Sequence, residues 1–182
     1  MMGKVGKAAF GCASASLVIC IISLAVPYWF YTETSFPWGS SVVYYGLWTT
    51  CNESEIHGQK EPIVCSTFDK IEGHHNISVI RAAEVIGVLL VAISIILGLC
   101  SVVRTSTGFL CIAGLLSALA GISMNLGAAV FGAMTRGVFE NGITLHFGFA
   151  FAIVSGLLAL GASGMFLARR AELTKFRYNT HI

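Results

Sequence analysis

The sequence predicts an all-α membrane bundle of four transmembrane helices, packed as a left-handed bundle, with a small extracellular β-sheet. Three observations lead there. The 182-residue chain is 55% apolar and only 11% charged, with a mean hydropathy of +0.79, whereas a soluble domain carries about 25% charged residues. Four stretches hold no charged residue: Ala8–Thr32, Val85–Val103, Thr105–Thr135 and Asn141–Ala168. Each reaches the roughly 20 residues that a helix needs to cross about 30 Å of hydrocarbon. Between the first two lies a segment of about 50 residues, too long for a plain connection and therefore expected to fold.

Helix is the expected state of the four stretches, because lipid offers no partner to a free backbone amide and none alternates as a barrel strand would. The expected boundaries are about 8–31, 80–103, 107–133 and 144–168, within one domain spanning 1–182. Lys4, Lys7 and Ser23-Leu24-Ala25 give the first stretch the outline of a cleaved signal. Its uncharged core is longer than a signal requires, and Pro27-Tyr28-Trp29 follows as an interfacial anchor, so a retained helix is expected. Lys4, Lys7, Arg104, Arg169, Arg170, Lys175 and Arg177 fall on one side after four crossings. That side is expected to be cytoplasmic and to hold both termini. A net charge of +2 argues against a nucleic-acid partner.

The first extracellular loop, about 32–79, carries Ser40–Tyr45 and Pro62–Phe68, rich in β-branched and aromatic residues, and these predict strands. Polar Asn52–Glu61 between them suits a hairpin tip. The second loop, about 134–143, is short, and 169–182 forms the tail. In the third helix Gly114, Ala118, Gly121, Asn125, Ala128 and Gly132 recur at spacings of three and four, as do Gly148, Ala152, Ser155, Ala159 and Ala162 in the fourth. Small residues let helix backbones approach closely in lipid, where no hydrophobic force draws helices together. These stripes predict bundle packing, with homo-oligomerisation in the membrane plane as the alternative use. Asn125 is expected to hydrogen-bond across helices.

Of the six cysteines, Cys51 and Cys65 are the pair in the large loop, and an oxidising side predicts a disulfide between them. In the chain-entropy model such a loop of about 15 residues stabilises by about 3 kcal/mol. Cys100 and Cys111 flank the cytoplasmic turn and are placed for palmitoylation. Asn52-Glu53-Ser54 and Asn76-Ile77-Ser78 are glycosylation sequons, with Asn52 the favoured acceptor. Arg81 and Glu84 lie one turn apart and are expected to pair. Trp29, Leu47 and Trp48 are expected where the chain leaves lipid, Gly46 in a tight turn or close contact, and Trp38, Tyr44 and Tyr45 in ordinary sheet packing. Thr180-His181-Ile182 fits a ligand for a PDZ scaffold, which would capture the carboxylate and the final apolar side chain. No nucleophile–base pair, metal-ligand cluster or phosphate loop is visible, so neither an enzyme nor a cofactor is expected.

Gly46-Leu47-Trp48-Thr49-Thr50-Cys51, then Cys65, then Arg81 entering the second helix, resembles the signature of the claudin superfamily. That group includes peripheral myelin protein, the epithelial membrane proteins, the lens fibre membrane protein and the calcium-channel gamma subunits. Trp29 is similar to the family's first tryptophan, and Ile80-Arg81-Ala82-Ala83 to the claudin start of the second helix. Phe147–Phe151 and the closing Arg169-Arg170 look more like the peripheral myelin branch. The resemblance implies a plasma-membrane protein of cell–cell junctions that associates laterally, with a paracellular barrier or cation-selective path among its uses. It equally implies an auxiliary subunit bound to a channel partner. The Cys51–Cys65 gap is longer than in typical claudins and the second loop is short, which departs from the claudin pattern for gripping an opposing cell.

Overall fold

A computed structural model of the chain describes residues 3–67, 77–104, 106–138 and 143–179. Helix α1 (Lys4–Ala25) leads into strands β1 (Phe30–Phe36), β2 (Gly39–Tyr45), β3 (Thr49–Ile56), β4 (Gln59–Lys60) and β5 (Val64–Thr67). Helices α2 (Ile77–Arg104) and α3 (Thr107–Val138), strand β6 (Ile143–Leu145) and helix α4 (Phe147–Asn179) follow. All four helices are long and apolar enough to cross a membrane.

The bundle is built inside out relative to a soluble one. Buried positions of α1 are Gly6, Ala9, Ala13, Ser16, Cys20 and Ser23. Those of α2 are Ile80, Glu84, Gly87, Val91, Ser94, Gly98 and Ser101. Both series step by three and four, the 3.5-residue period of a left-handed supercoil. Large apolar side chains such as Val18, Leu89, Ile96, Leu119, Leu126 and Leu157 face outward instead, where lipid solvates them as well as a core would. Helix α3 packs against both α2 and α4, and α1 packs mainly on α4. Serine hydroxyls tie these contacts. Ser16 Oγ donates to the Ser155 carbonyl at 2.7 Å, Ser94 Oγ to that of Ala113 at 2.7 Å, and Ser123 Oγ to that of Ala83 at 2.9 Å. Such bonds contribute about 0.6 kcal/mol each in a membrane bundle.

The sheet runs β4-β3-β2-β1-β6, with β5 on the remaining length of β3, and every pairing is antiparallel. Several boundaries differ from those the sequence suggests. Helix α1 stops at Ala25 rather than near 31, because Pro27 pushes Val26 out of the helical region (ψ 140°). The residues after it form β1, which pairs with β2 along its whole length. Asn52–Glu61 is not a tip. β3 runs through its first half, and the turn falls at His57-Gly58, both at positive φ. Helix α4 starts at Phe147 rather than 144, since Ile143–Leu145 pairs with Phe30–Thr32 as β6. It continues to Asn179, so most of the 169–182 tail is helix. Helix α2 begins at Ile77, before the expected 80, and α3 reaches Val138, beyond the expected 133.

Candidate functional site: the junction between sheet and bundle

The residues that the sequence singled out converge where the sheet meets the helix ends. Trp29 is fully buried. Its indole Nε1 donates to the Ser23 carbonyl at 2.8 Å, and its ring packs edge-on to Phe131 at 4.9 Å and Phe149 at 6.2 Å. Its backbone N–H donates to Tyr45 and its carbonyl accepts from His146, so one residue ties β2 and the start of α4 to the end of α1. Trp29 lies just past the end of α1, and its ring faces protein on all sides: three helices and the sheet enclose it. Leu47 is also fully buried, whereas Trp48 is 44% exposed.

Gly46 ends β2 in a turn, its N–H donating to the Thr49 carbonyl at 2.9 Å. A Cβ there would lie 2.6 Å from Pro27 Cα, a backbone atom that cannot yield. Arg81 Nε donates to the Leu47 carbonyl at 2.7 Å, and the guanidinium lies 4.9 Å over the Trp48 ring. One arginine thus fastens α2 to the turn through a charge-assisted hydrogen bond and a cation–π contact. The disulfide Cys51–Cys65 joins the paired residues of β3 and β5.

Arg81 and Glu84 do not form the expected pair. While Arg81 reaches the turn, Glu84 is 0% exposed inside the bundle. One of its carboxyl oxygens accepts from Cys20 Sγ at 3.6 Å and the other, Oε1, has no partner. An ionisable side chain in a membrane core is costly and is a functional candidate by default. Sequence reading placed Glu84 at the membrane edge. The signal that could have found it is the three-and-four spacing through Ile80, Glu84, Gly87 and Val91, which puts it on the buried stripe of α2.

The small-residue stripes lie within the bundle. A Cβ on Gly121 would come 2.6 Å from the Gly156 carbonyl, one on Gly148 equally close to the Tyr28 carbonyl, and one on Gly114 2.9 Å from Leu167. Ala128 and Ala152 are fully buried, and Ala118 is half-buried. Asn125 bonds within its own helix, Nδ2 to the Gly121 carbonyl at 2.8 Å, and presses against Gly156 instead of bonding across. Gly11, Gly161 and Gly164 have open space around them and face outward.

Tyr45 stacks on Phe30 at 4.5 Å in the core of the junction. Tyr44 is on the opposite face, its hydroxyl donating to Glu53 at 3.5 Å, and burial followed by the Glu53 charge raises its phenol above the ordinary value. Trp38, at the far end of the sheet, is 60% exposed and stacks on exposed Phe36 at 6.3 Å, so the sheet-packing expectation is corrected for it. Asn52 is exposed on β3, its amide oxygen accepting from Ser41 Oγ at 2.9 Å. Asn76, Thr180 and Ile182 lie outside the described residues.

Four spanning helices capped by an antiparallel sheet, pinned by a buried tryptophan, an arginine and a disulfide, define a four-span membrane protein of the claudin-like kind. The sequence profile of the PMP-22/EMP/MP20/Claudin family matches residues 7–167, and the chain belongs to that family. Among curated proteins, none matches the chain in sequence.

Proposed function

We propose that this protein is a structural component of plasma-membrane contacts between cells, that it works by lateral assembly of its own copies, and that it is not an enzyme. The reading rests on one observation. The sheet is clamped to the bundle at its base, and its far end presents an exposed apolar group of Phe36, Trp38 and Ile56. A rigid arm that holds aromatic side chains in water at a distance from the membrane is suited to meeting another protein, because burying them there is favourable. The stripes inside the bundle are occupied in holding it together, so assembly falls to the sheet and to the outward helix faces. Both termini lie in the cytoplasm, Asn52 carries sugar, and the Thr180–Ile182 tail engages a PDZ scaffold.

The test is expression in cells that lack junctional strands, with freeze-fracture imaging and mixing of expressing and non-expressing populations. Strands or patches, concentrated where two expressing cells meet and lost on Trp38→Ser with Phe36→Ser, are the expected result. Diffuse distribution together with co-purification of a channel would instead favour the auxiliary-subunit reading.

A further inference from the structure

Where α1 ends and α4 begins, four aromatic rings close a ring of their own on the outer face of the sheet. Tyr28 lies 5.2 Å from Tyr44 and 5.5 Å from His146. Tyr31 completes the circuit, 6.0 Å from Tyr44 and 5.9 Å from His146. Phe147 extends it, 5.3 Å from Tyr28 and 4.6 Å from His146. The register explains the grouping: Tyr31 and Tyr44 are cross-strand partners in β1 and β2 and so share a face. His146 is held by accepting the Phe147 N–H at Nδ1. All four rings are half-buried, so each offers part of its surface to the outside.

Two features go beyond an ordinary aromatic belt. The first is closure: a belt needs single rings at the right depth, whereas here four rings contact one another in a closed circuit. The second is charge. Two residues farther from the membrane on the same face lie Glu33 of β1 and Glu53 of β3, both registered opposite Val42, and Glu53 already touches the rim through Tyr44. Lys60 pairs with Glu53 from the side away from the membrane at 3.6 Å, and the rim itself is made of Tyr28, Tyr31, Tyr44 and His146, with no lysine or arginine in it. Aromatic faces below carboxylates attract a positive group, and they favour a weakly hydrated one over a compact ammonium that water holds tightly.

We propose that this rim binds the trimethylammonium of choline headgroups in the leaflet on the sheet side. The rings touch one another, so the cation sits on the rim, within cation–π reach of several centroids at once, and not in a hollow between them. The occupant follows from position: the rim stands at the ends of two spanning helices, where headgroups are the groups present.

The test uses the full chain in nanodiscs of fixed dioleoyl chains. The headgroup is stepped from phosphatidylethanolamine through its mono- and dimethyl forms to phosphatidylcholine, and lipid retained on the released protein is counted by native mass spectrometry. Retention should rise with each methyl, by about two- to fivefold from first to last. A variant carrying Tyr28→Leu and Tyr44→Leu, with its disulfide intact, should flatten the series. A flat series for the wild-type chain overturns the proposal, as does a slope that survives in the variant. Should the variant fail to fold, excess tetramethylammonium added to the wild-type protein gives a second decision. Loss of the slope supports the rim, and an unchanged slope overturns it.

Discussion

The two ends of the bundle are packed by different means. At the end away from the sheet the core is mostly alanine, at Ala9, Ala13, Ala113, Ala159 and Ala162, with Leu110 and Phe166 as large side chains among them. At the sheet end it is made of Trp29, Phe30, Leu47, Ile80 and Phe131. Small residues draw helices close where only helices meet, because in lipid the gain comes from backbone contact. Large rings fill the space where the chain must leave the bundle, bend and return as strands. The comparison teaches that the sheet is no appendage: its base is the core of that end, and damage there should cost the helices as well as the sheet.

The largest expected effect is at Trp29. Trp29→Ala should cost about 3–5 kcal/mol, and in mixed-micelle unfolding the sheet and the helices should lose stability together. Retained helix stability with a loosened sheet would break the comparison. Cys51→Ser with Cys65→Ser should cost about 3 kcal/mol, with faster hydrogen exchange confined to β3 and β5 while Trp29 stays buried. Within the bundle, Gly121→Val drives a methyl toward the Gly156 carbonyl and should cost about 1–3 kcal/mol by overpacking. Gly161→Val, with open space around it, should change thermal stability by no more than about 0.5 kcal/mol. Equal effects at these two glycines would undo the assignment of the stripes to the bundle interior. Arg81→Lys keeps the charge but loses the planar guanidinium over Trp48 and should cost about 1 kcal/mol. At Glu84 the expected effect is of similar size to that at Arg81 and opposite in sign. Glu84→Met removes the unpartnered oxygen and should raise stability by about 1 kcal/mol. A large loss instead would mean that the carboxyl holds something in the membrane.

Much of this was legible before any coordinates. The four spans follow from runs without charge, since length and polarity are local properties that lipid reads directly. The Cys51–Cys65 pairing follows from compartment and count, and a motif singles out Gly46, Leu47, Trp48 and Arg81 without saying that they meet. The stripes of α3 and α4 were visible because glycine and alanine stand out. Those of α1 and α2 were overlooked, because serine, cysteine and a glutamate share the same period without looking like packing residues.

The sequence by itself determined which segments are long and apolar enough to span a membrane and which cysteines join, because both depend on composition and spacing along the chain. Only the tertiary structure decided that Trp29 is enclosed, that Arg81 turns to the Leu47 carbonyl while Glu84 turns inward, and that Ile143–Leu145 completes the sheet beside β1. Those outcomes depend on which faces the neighbouring elements occupy. A side chain one turn from another on a helix can point to a different neighbour, and no local rule names that neighbour until the helices are packed.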